Sequence, residues 1–247
     1  MYTKAPLRTA SALIDRLHII EDDNLDTFID ELLGTKEQKV LGFLNQYGYN
    51  LAAEEQSVLS SFGNIDYLLR DGVGIKLACR WNKLEPGANL NGTDFIPELI
   101  KKAHDCPIEI DYFVFGTQSP WLEAGTQKLM EGQACHTLHG FHSEEKYLKY
   151  LKRWSRKNVL VIVVLAMGMP KQEHLAGRLR EAVNGPILVV CGGAIIDFQA
   201  ERFDRAPQFM RRLNLEWLFR LIREPQRLFR RYLLGIPKFF YYLVANK

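Results

Sequence analysis

The sequence predicts an α/β protein: a Rossmann-like core with a mainly parallel sheet, followed by a C-terminal helical appendage that is basic and amphipathic. Two observations predict the core. Short apolar runs rich in β-branched and aromatic residues alternate with helical segments, and most of these runs lack the period-two alternation of a sheet with one exposed face. A third observation predicts the appendage, because strand patterns stop after residue 200 and amphipathic helix begins. We expect a core over residues 1–200 and an appendage over 201–247, and leave open whether residues 1–38 form a peripheral arm.

Strands and helices alternate along the core. The predicted strands are 39–45, 108–116, 158–168 and 186–193. The predicted helices are 50–62, 92–104, 118–130, 143–154 and 171–183. Strands that alternate with helices form parallel sheets, which bind ligands at the carboxyl ends of their strands. The residues that follow each strand are therefore candidates for function.

The composition suits a cytoplasmic protein with one substantial core. The 247 residues are 47% hydrophobic, which is enough to bury such a core. The four cysteines are scattered without a CxxC pair, which favours free thiols in a reducing compartment. The N-terminal segment lacks the apolar region of a signal peptide, and the longest apolar run, 159–167, is much shorter than the roughly 18 residues of a membrane span. We expect a protein that lies on a membrane without crossing it.

Positive charge is concentrated in the C-terminal part of the chain. Residues 201–247 contain eleven Lys and Arg against four Asp and Glu, a net charge of +7, whereas residues 1–200 carry −4. This asymmetry predicts a polyanionic partner: a membrane surface, a nucleic acid or a phosphorylated ligand. Because Trp217, Leu221, Phe229 and Tyr232 fall at helical spacing among the arginines, we favour an interfacial helix on anionic lipid. Arginine also binds diphosphate bidentately, so both roles are compatible.

The stretch RDGVGIKLA, residues 70–78, is the first candidate for chemistry. Gly72 and Gly74 let the backbone approach a ligand, a helix N-terminus favours a phosphate or carboxylate, and Asp71 has the chemistry of a general base. The alternative is structural, with Asp-Gly as a tight turn and Asp71 as a helix cap. Taken alone, the stretch favours the structural interpretation.

Two further strand ends carry glycine. In LAMGMPKQEHL, Gly168 ends a strand, and the helix that follows presents Lys171 and Gln172 at the sheet edge where nucleotides bind. In VVCGGAIIDF, Gly192 and Gly193 end the next strand. The alternatives are an ordinary βα loop and a tight turn. The position of the first stretch at the sheet edge favours a binding role for it. The glycines of the second stretch give only weak support for such a role.

Several cofactor patterns are missing. The sequence has no GxxxxGK[ST] P-loop, no GxGxxG after a strand and no DxD triplet for a divalent cation. His136, His139 and His142 lie close together, but no second Cys or His cluster completes a tetrahedral zinc site. We expect no metal and no cofactor, and the missing dinucleotide fingerprint argues against a nicotinamide-dependent oxidoreductase.

Five motifs in order make the chain similar to a known family. They are DGVGIKLA, NGTDFIPEL, MGMPKQE, GGAIIDF and RAPQFMRRLNLEWLFRLIREPQRLFRRYLLG. Together they resemble the WecG/TagA/CpsF glycosyltransferase family, glycosyltransferase family 26, over most of the chain. The resemblance implies an inverting, metal-independent enzyme that moves a sugar from a UDP-sugar to a polyprenyl-diphosphate-linked acceptor. It also implies surface polysaccharide biosynthesis at the cytoplasmic face of the membrane, and a homo-oligomer whose subunit number is left open.

The resemblance also assigns roles to residues. Asp71 is implied to be the general base, with Asn45 beside it, and Gln172 is implied to contact the uracil. The glycines implied to lie around the donor nucleotide are Gly72, Gly74, Gly168 and Gly192. The appendage arginines implied to bind the diphosphate are Arg220, Arg227 and Arg230.

Two positions depart from the family pattern. Phe43 stands where a polar Thr is common, and Asn89 stands where many members have Arg. Both lie where the resemblance places the donor sugar or phosphate. The donor sugar is therefore left open among N-acetylmannosamine, its uronic acid and a neutral hexose such as glucose.

The main alternative is a non-enzymatic protein that binds a nucleotide or nucleic acid through the basic tail. Asp71 has no evident role in such a protein. The helically spaced apolar residues of the tail also suit a bilayer better than a stack of bases. We therefore expect no nucleic-acid partner.

Overall fold

The centre of the protein is a six-stranded sheet in which every pairing is parallel. The computed structural model describes residues 9–213 and 215–245. The strands are β1 (Gln38–Leu44), β2 (Tyr67–Arg70), β3 (Ile110–Gly116), β4 (Cys135–Leu138), β5 (Leu160–Ala166) and β6 (Ile187–Cys191). Their order across the sheet is β2-β1-β6-β5-β3-β4. Helices flank the sheet, which confirms the predicted Rossmann-like α/β core.

The core helices are α1 (Ser11–Ile14), α2 (Leu25–Leu33), α3 (Gln46–Glu54), α4 (Gln56–Gly63), α5 (Gly72–Trp81), α6 (Gly92–His104), α7 (Trp121–Met130), α8 (Glu144–Trp154), α9 (Lys171–Arg180) and α10 (Ile195–Gln199). The appendage helices are α11 (Gln208–Arg212), α12 (Glu216–Arg223), α13 (Pro225–Phe229) and α14 (Gly235–Ala245). A π-helical turn, Arg230–Leu234, joins the last two.

All four predicted strands are present, and the structure adds two short ones. β2 and β4 are the two edge strands and have four residues each; the residues of β4 are only partly buried. Runs this short carry little periodic signal. The helix predicted over 50–62 is two helices, α3 and α4, because the backbone is extended at Glu55 (φ −131°, ψ 118°).

Both faces of the sheet are buried. Along β5, Val161 and Val163 lie in one hydrophobic cluster, whereas Ile162 and Val164 lie in the other. Every residue of this strand is therefore buried. A strand covered on both faces has a continuous apolar run in its sequence, which is why β5 lacks alternation.

The described part of the N-terminal segment packs against the core. Leu13 and Leu17 belong to one hydrophobic cluster and Phe28 to the other. Leu17 also forms a parallel bridge with Leu68 of β2. Residues 1–8 of the segment that was left open as an arm lie outside the described residues.

The appendage is helical, as predicted, and its last helix docks on the core. Phe239 and Leu243 of α14 are buried, and the Phe239 ring lies 5.2 Å from the Tyr49 ring of α3. The Asn50 side chain of α3 donates a hydrogen bond to the Gly235 carbonyl (2.7 Å). The appendage is thereby held against the helix that follows β1. Across residues 9–213 and 215–245, no helix has the length and apolar character needed to cross a bilayer.

Candidate active site

The candidate site lies where β1 and β2 end. These neighbouring strands are parallel, and their register pairs Leu44 with Arg70. Asn45 and Asp71 come directly after these residues, so the sheet places the two side chains next to each other. The rule that parallel sheets bind ligands at the carboxyl ends of their strands therefore leads to the Asp-Gly motif.

Asn45 is oriented by the helix that it begins. It is the N-cap of α3, and its Oδ1 accepts a hydrogen bond from the Gly48 N–H (3.0 Å). The other end of the amide, Nδ2, donates to Asp71 Oδ2 (3.2 Å). Because the amide oxygen is used by the cap, the amide nitrogen is the atom available to Asp71. One carboxylate oxygen of Asp71 is thus held while the other is left for a ligand.

Asp71 has the environment of a base more than that of a helix cap. It occupies the N-cap position of α5, but its side chain makes no capping hydrogen bond. Burial raises the pKa of its carboxyl group above the ordinary value, against the opposing effects of the Asn45 amide and of positive charges including Arg231. A general base works best when its pKa approaches the working pH, so burial of Asp71 favours proton abstraction.

The two glycines of the motif are needed for different reasons. Gly72 has φ of +85°, a left-handed conformation that other residues rarely adopt, and its N–H donates to Asn89 Oδ1 (2.8 Å). A Cβ at Gly74 would lie 2.9 Å from the Gln46 Cβ. Asn89 Oδ1 also accepts from the buried Arg70 guanidinium (3.2 Å). The loop before α6 is therefore fastened to the start of α5.

The appendage encloses this edge of the sheet in a cavity of about 300 Å³. Asn45 and Asp71 lie in its core wall, and Arg220, Arg231 and Trp217 lie in its appendage wall. This volume is at the lower end of the range for small-molecule sites. The cavity is therefore built jointly by the core and the appendage.

Two arginines of the appendage are poised to bind an anion. The Arg231 guanidinium lies 4.6 Å from the centroid of the Tyr47 ring, and that of Arg220 lies 5.2 Å from the centroid of the Phe198 ring. The Nε atom of each arginine is buried without a hydrogen-bond partner, and neither arginine has an ion pair within the described chain. Burial lowers the pKa of Arg231, but a guanidinium stays charged at neutral pH. Phosphate oxygens would satisfy both groups.

Arg227 and Arg230, predicted together with Arg220, do not line the cavity. Arg227 forms an ion pair with Glu224 (2.6 Å), and Arg230 is exposed. The family resemblance, and not the packing of the helices, assigned these arginines to the diphosphate. The π-helical turn that begins at Arg230 changes the helical phase and brings Arg231, which was not predicted, to the cavity. The diphosphate roles of Arg227 and Arg230 stay predictions.

Gly168, Gln172 and Gly192 lie at the ends of β5 and β6, outside the cavity lining. Gln172 is buried, its Oε1 accepts from the Gly193 N–H (2.9 Å), and its Nε2 donates to Glu173 (2.8 Å). Gly168 has φ of +78°, and a Cβ at Gly192 would lie 2.7 Å from a neighbouring side chain. Each end of the Gln172 amide binds protein and the side chain is buried, so a uracil contact requires the residues that cover it to move. That contact stays a prediction.

The two positions that depart from the family pattern differ in location. Asn89 lines the cavity, whereas Phe43 does not. Phe43 is buried in the core, and its ring lies 6.0 Å from that of Phe95. The argument for an altered donor sugar therefore depends on Asn89 alone.

The sequence did not reveal Glu216 as a site residue, and it assigned Trp217 to the bilayer. Both line the cavity. Glu216 begins α12 and precedes Arg220 by four residues, a spacing that puts both on one helix face. That spacing is visible in the sequence. An amphipathic pattern, however, does not say whether a polar face meets solvent or an internal cavity.

The chain is similar to known proteins over nearly its whole length. The profile of the glycosyl transferase WecG/TagA/CpsF family matches residues 15–247. An N-acetylglucosaminyldiphosphoundecaprenol N-acetyl-beta-D-mannosaminyltransferase of Bacillus subtilis (strain 168) is 26% identical over 225 residues, which cover 88% of this chain and 85% of that protein. A protein of the same name from Staphylococcus aureus (strain MW2) is 26% identical over 205 residues, covering 80% of this chain and 76% of that protein. The family match includes both the core and the appendage that enclose the cavity.

Glu173, next to Gln172, makes the stability of the folded protein depend on pH. Burial raises the pKa of its carboxyl group to about 7, and its Oε2 has no hydrogen-bond partner in the structure described. In the unfolded chain the pKa is about 4.3, so the folded state holds the proton more tightly. The resulting stabilisation is complete below the unfolded pKa and is lost as the pH rises through about 7.

Glu173→Gln keeps an oxygen for Gln172 and removes the charge. At pH 4 we expect its free energy of unfolding to match wild type within about 0.5 kcal/mol, and at pH 8 to exceed it by about 3 to 4 kcal/mol, as measured by urea unfolding. Glu181→Gln, an exposed carboxylate after the same helix, is the matched control. Equal behaviour of the two variants at pH 8 would contradict this account of Glu173.

Proposed function

The chain belongs to the glycosyl transferase WecG/TagA/CpsF family, and from this premise we propose that it transfers a sugar from a UDP-sugar to a polyprenyl-diphosphate-linked acceptor, with inversion at the anomeric carbon. The observation that carries the proposal is the cavity in which Asp71, held by Asn45, lies with Arg220 and Arg231. A base and two cations in one site are the groups that such a transfer needs.

The reaction joins the acceptor oxygen to the donor sugar in one displacement. Asp71 takes the proton from the acceptor hydroxyl, whose oxygen attacks the anomeric carbon from the side opposite the UDP. The bond between that carbon and the phosphate oxygen breaks, and UDP leaves with the electron pair. A single displacement inverts the anomeric centre.

The arginines stabilise the leaving group. Negative charge grows on the diphosphate as the bond breaks, and Arg220 and Arg231 supply fixed positive charge beside it. Neither forms an ion pair with a carboxylate in the described structure. We propose that these arginines do the work that a divalent cation does in other transferases, so that transfer continues in the presence of a chelator.

The proposed acceptor is inferred from the names of the related proteins. The named proteins of Bacillus subtilis and Staphylococcus aureus are N-acetylmannosaminyltransferases that act on N-acetylglucosaminyldiphosphoundecaprenol. By this similarity the acceptor proposed here is a lipid-linked amino sugar, and its elongation serves a surface polysaccharide. The donor sugar is left open, because Asn89 lines the cavity where many family members carry arginine.

A lipid-linked acceptor requires the enzyme to work at a membrane, and the appendage offers the surface for it. Its exposed apolar side chains are Phe209, Leu213, Ile222, Phe229, Leu233, Leu234, Phe240, Tyr241 and Val244. Exposed Arg223 and Arg230 lie among them in the sequence. Apolar insertion and attraction to anionic headgroups act together on such a surface. We propose peripheral binding at the cytoplasmic face, with the oligomeric state left open.

Asp71→Asn tests the base. The amide keeps the size of the side chain but cannot accept the proton, so kcat should fall by about 10²- to 10⁴-fold. Binding of UDP, followed by calorimetry, should stay within a few-fold of wild type. Asp23→Asn, at an exposed carboxylate of the N-terminal segment, is the control. Transfer by Asp71→Asn at a rate near wild type would remove Asp71 from the mechanism.

Arg231→Gln and Arg230→Gln separate two adjacent arginines. Arg231 lines the cavity and Arg230 is exposed. Losing one such cation should lower kcat by about 100-fold, so Arg231→Gln should be the more damaging change, both to transfer and to UDP affinity. The opposite ranking would mean that the appendage binds substrate in another arrangement.

A further inference from the structure

We propose that Glu216 and Trp217, the first two residues of α12, form the subsite for the acceptor sugar, a pyranose attached to a lipid diphosphate. This inference rests on the function proposed above and adds where the acceptor is recognised. The carboxylate would accept hydrogen bonds from sugar hydroxyls, and the indole would pack against the apolar face of the ring.

The Glu216 carboxylate has no hydrogen-bond or ion-pair partner among the described residues. It lines the cavity and is half-buried, and within the described residues it forms no hydrogen bond or ion pair. The nearby Arg205 forms an ion pair with Asp94 (2.9 Å) and none with Glu216 in the described structure. Removing a carboxylate from water without donors is costly. A ligand that brings hydroxyl donors into the cavity offsets that cost.

The charges of the cavity favour a sugar over a phosphate at this position. A carboxylate repels phosphate, whereas Arg220 and Arg231 attract it. Burial raises the pKa of Glu216, and the charge of Asp71 adds to that effect while Arg205 and Arg220 oppose it. Glu216 also lines the same cavity as Asp71, the group proposed to deprotonate the acceptor. We place the acceptor sugar beside these two carboxylates.

Trp217 supplies the apolar part of the subsite. Its ring is 5.8 Å from the Tyr232 ring and tilted by 57°, so the two are not stacked face to face. Trp217, Tyr232 and Phe240 all line the cavity, and Phe240 is also 46% exposed. The cavity wall thus runs into the exposed apolar surface of the appendage. A lipid-linked substrate, and not the water-soluble donor, enters from such a surface.

The test measures the effect of one substitution on the acceptor and on the donor separately. Full-length Glu216→Gln is assayed for transfer to a short-chain lipid diphosphate amino sugar, with donor and acceptor varied in turn. A hydrogen bond to a charged group corresponds to about 10- to 100-fold in affinity, so kcat/KM for the acceptor should fall by that factor. The KM for the donor should stay within about two-fold. Glu55→Gln, an exposed residue between α3 and α4, controls for the substitution itself.

A set of mono-deoxy acceptors makes the test specific. With one of these acceptors, the wild-type enzyme should lose activity because the hydroxyl bound by Glu216 is absent. Glu216→Gln should lose little further activity with that acceptor, because the substitution has already removed the hydrogen bond. Trp217→Leu should also raise the KM for the acceptor. Trp217→Phe, which keeps an aromatic ring, should bring that KM most of the way back to the wild-type value. Fully additive losses at every position, or a rise confined to the donor KM, would overturn the subsite.

Calorimetry with the same acceptor distinguishes failure of the subsite from failure of the proposed function. If wild-type protein catalyses no transfer but binds the acceptor more tightly than Glu216→Gln does, the subsite stands and the proposed activity falls. If transfer proceeds and both proteins bind the acceptor equally, the subsite falls and the activity stands. Absence of any acceptor binding by wild type would overturn the subsite as well.

Discussion

The site depends on the parallel register of β1 and β2. That register puts the ends of the two strands side by side, so that Asn45 and Asp71 meet through a hydrogen bond of 3.2 Å. The α3 cap fixes which end of the Asn45 amide points at the carboxylate. A one-residue change of register would turn the side chains of one strand to the other face of the sheet and separate the pair. The chemistry is therefore set first by the sheet.

The second determinant is the docking of the appendage. Phe239 and Leu243 bury the last helix against α3, and this contact holds Arg220, Arg231 and Glu216 around Asp71. Arginines without carboxylate partners next to a partly buried base leave the cavity suited to a negatively charged ligand. The same segment exposes an apolar surface. One piece of chain thus completes the site and offers the contact through which a lipid-linked substrate reaches it.

The sequence predicted the parts that depend on local pattern. The apolar run of β5 identified a strand buried on both faces, and the Asp-Gly motif singled out Asp71 as a candidate, although the short strand β2 before it was not predicted. It could not identify Arg231, because a π-helical turn shifts the phase that α-helical spacing assumes. Nor could it show that Gln172 accepts a hydrogen bond from Gly193, since that contact joins the segments that follow β5 and β6. Glu216 was missed because its environment comes from tertiary packing.

The most direct measurement is a crystal structure of the full-length protein with UDP bound. The account predicts diphosphate oxygens within hydrogen-bond distance of Arg220 and Arg231, in the cavity that contains Asp71. It also predicts that the anomeric position lies on the Asp71 side of the diphosphate. A diphosphate bound elsewhere, such as beside Lys171 at the end of β5 with the Asp71 cavity unoccupied, would contradict the claim that core and appendage together form the transfer site.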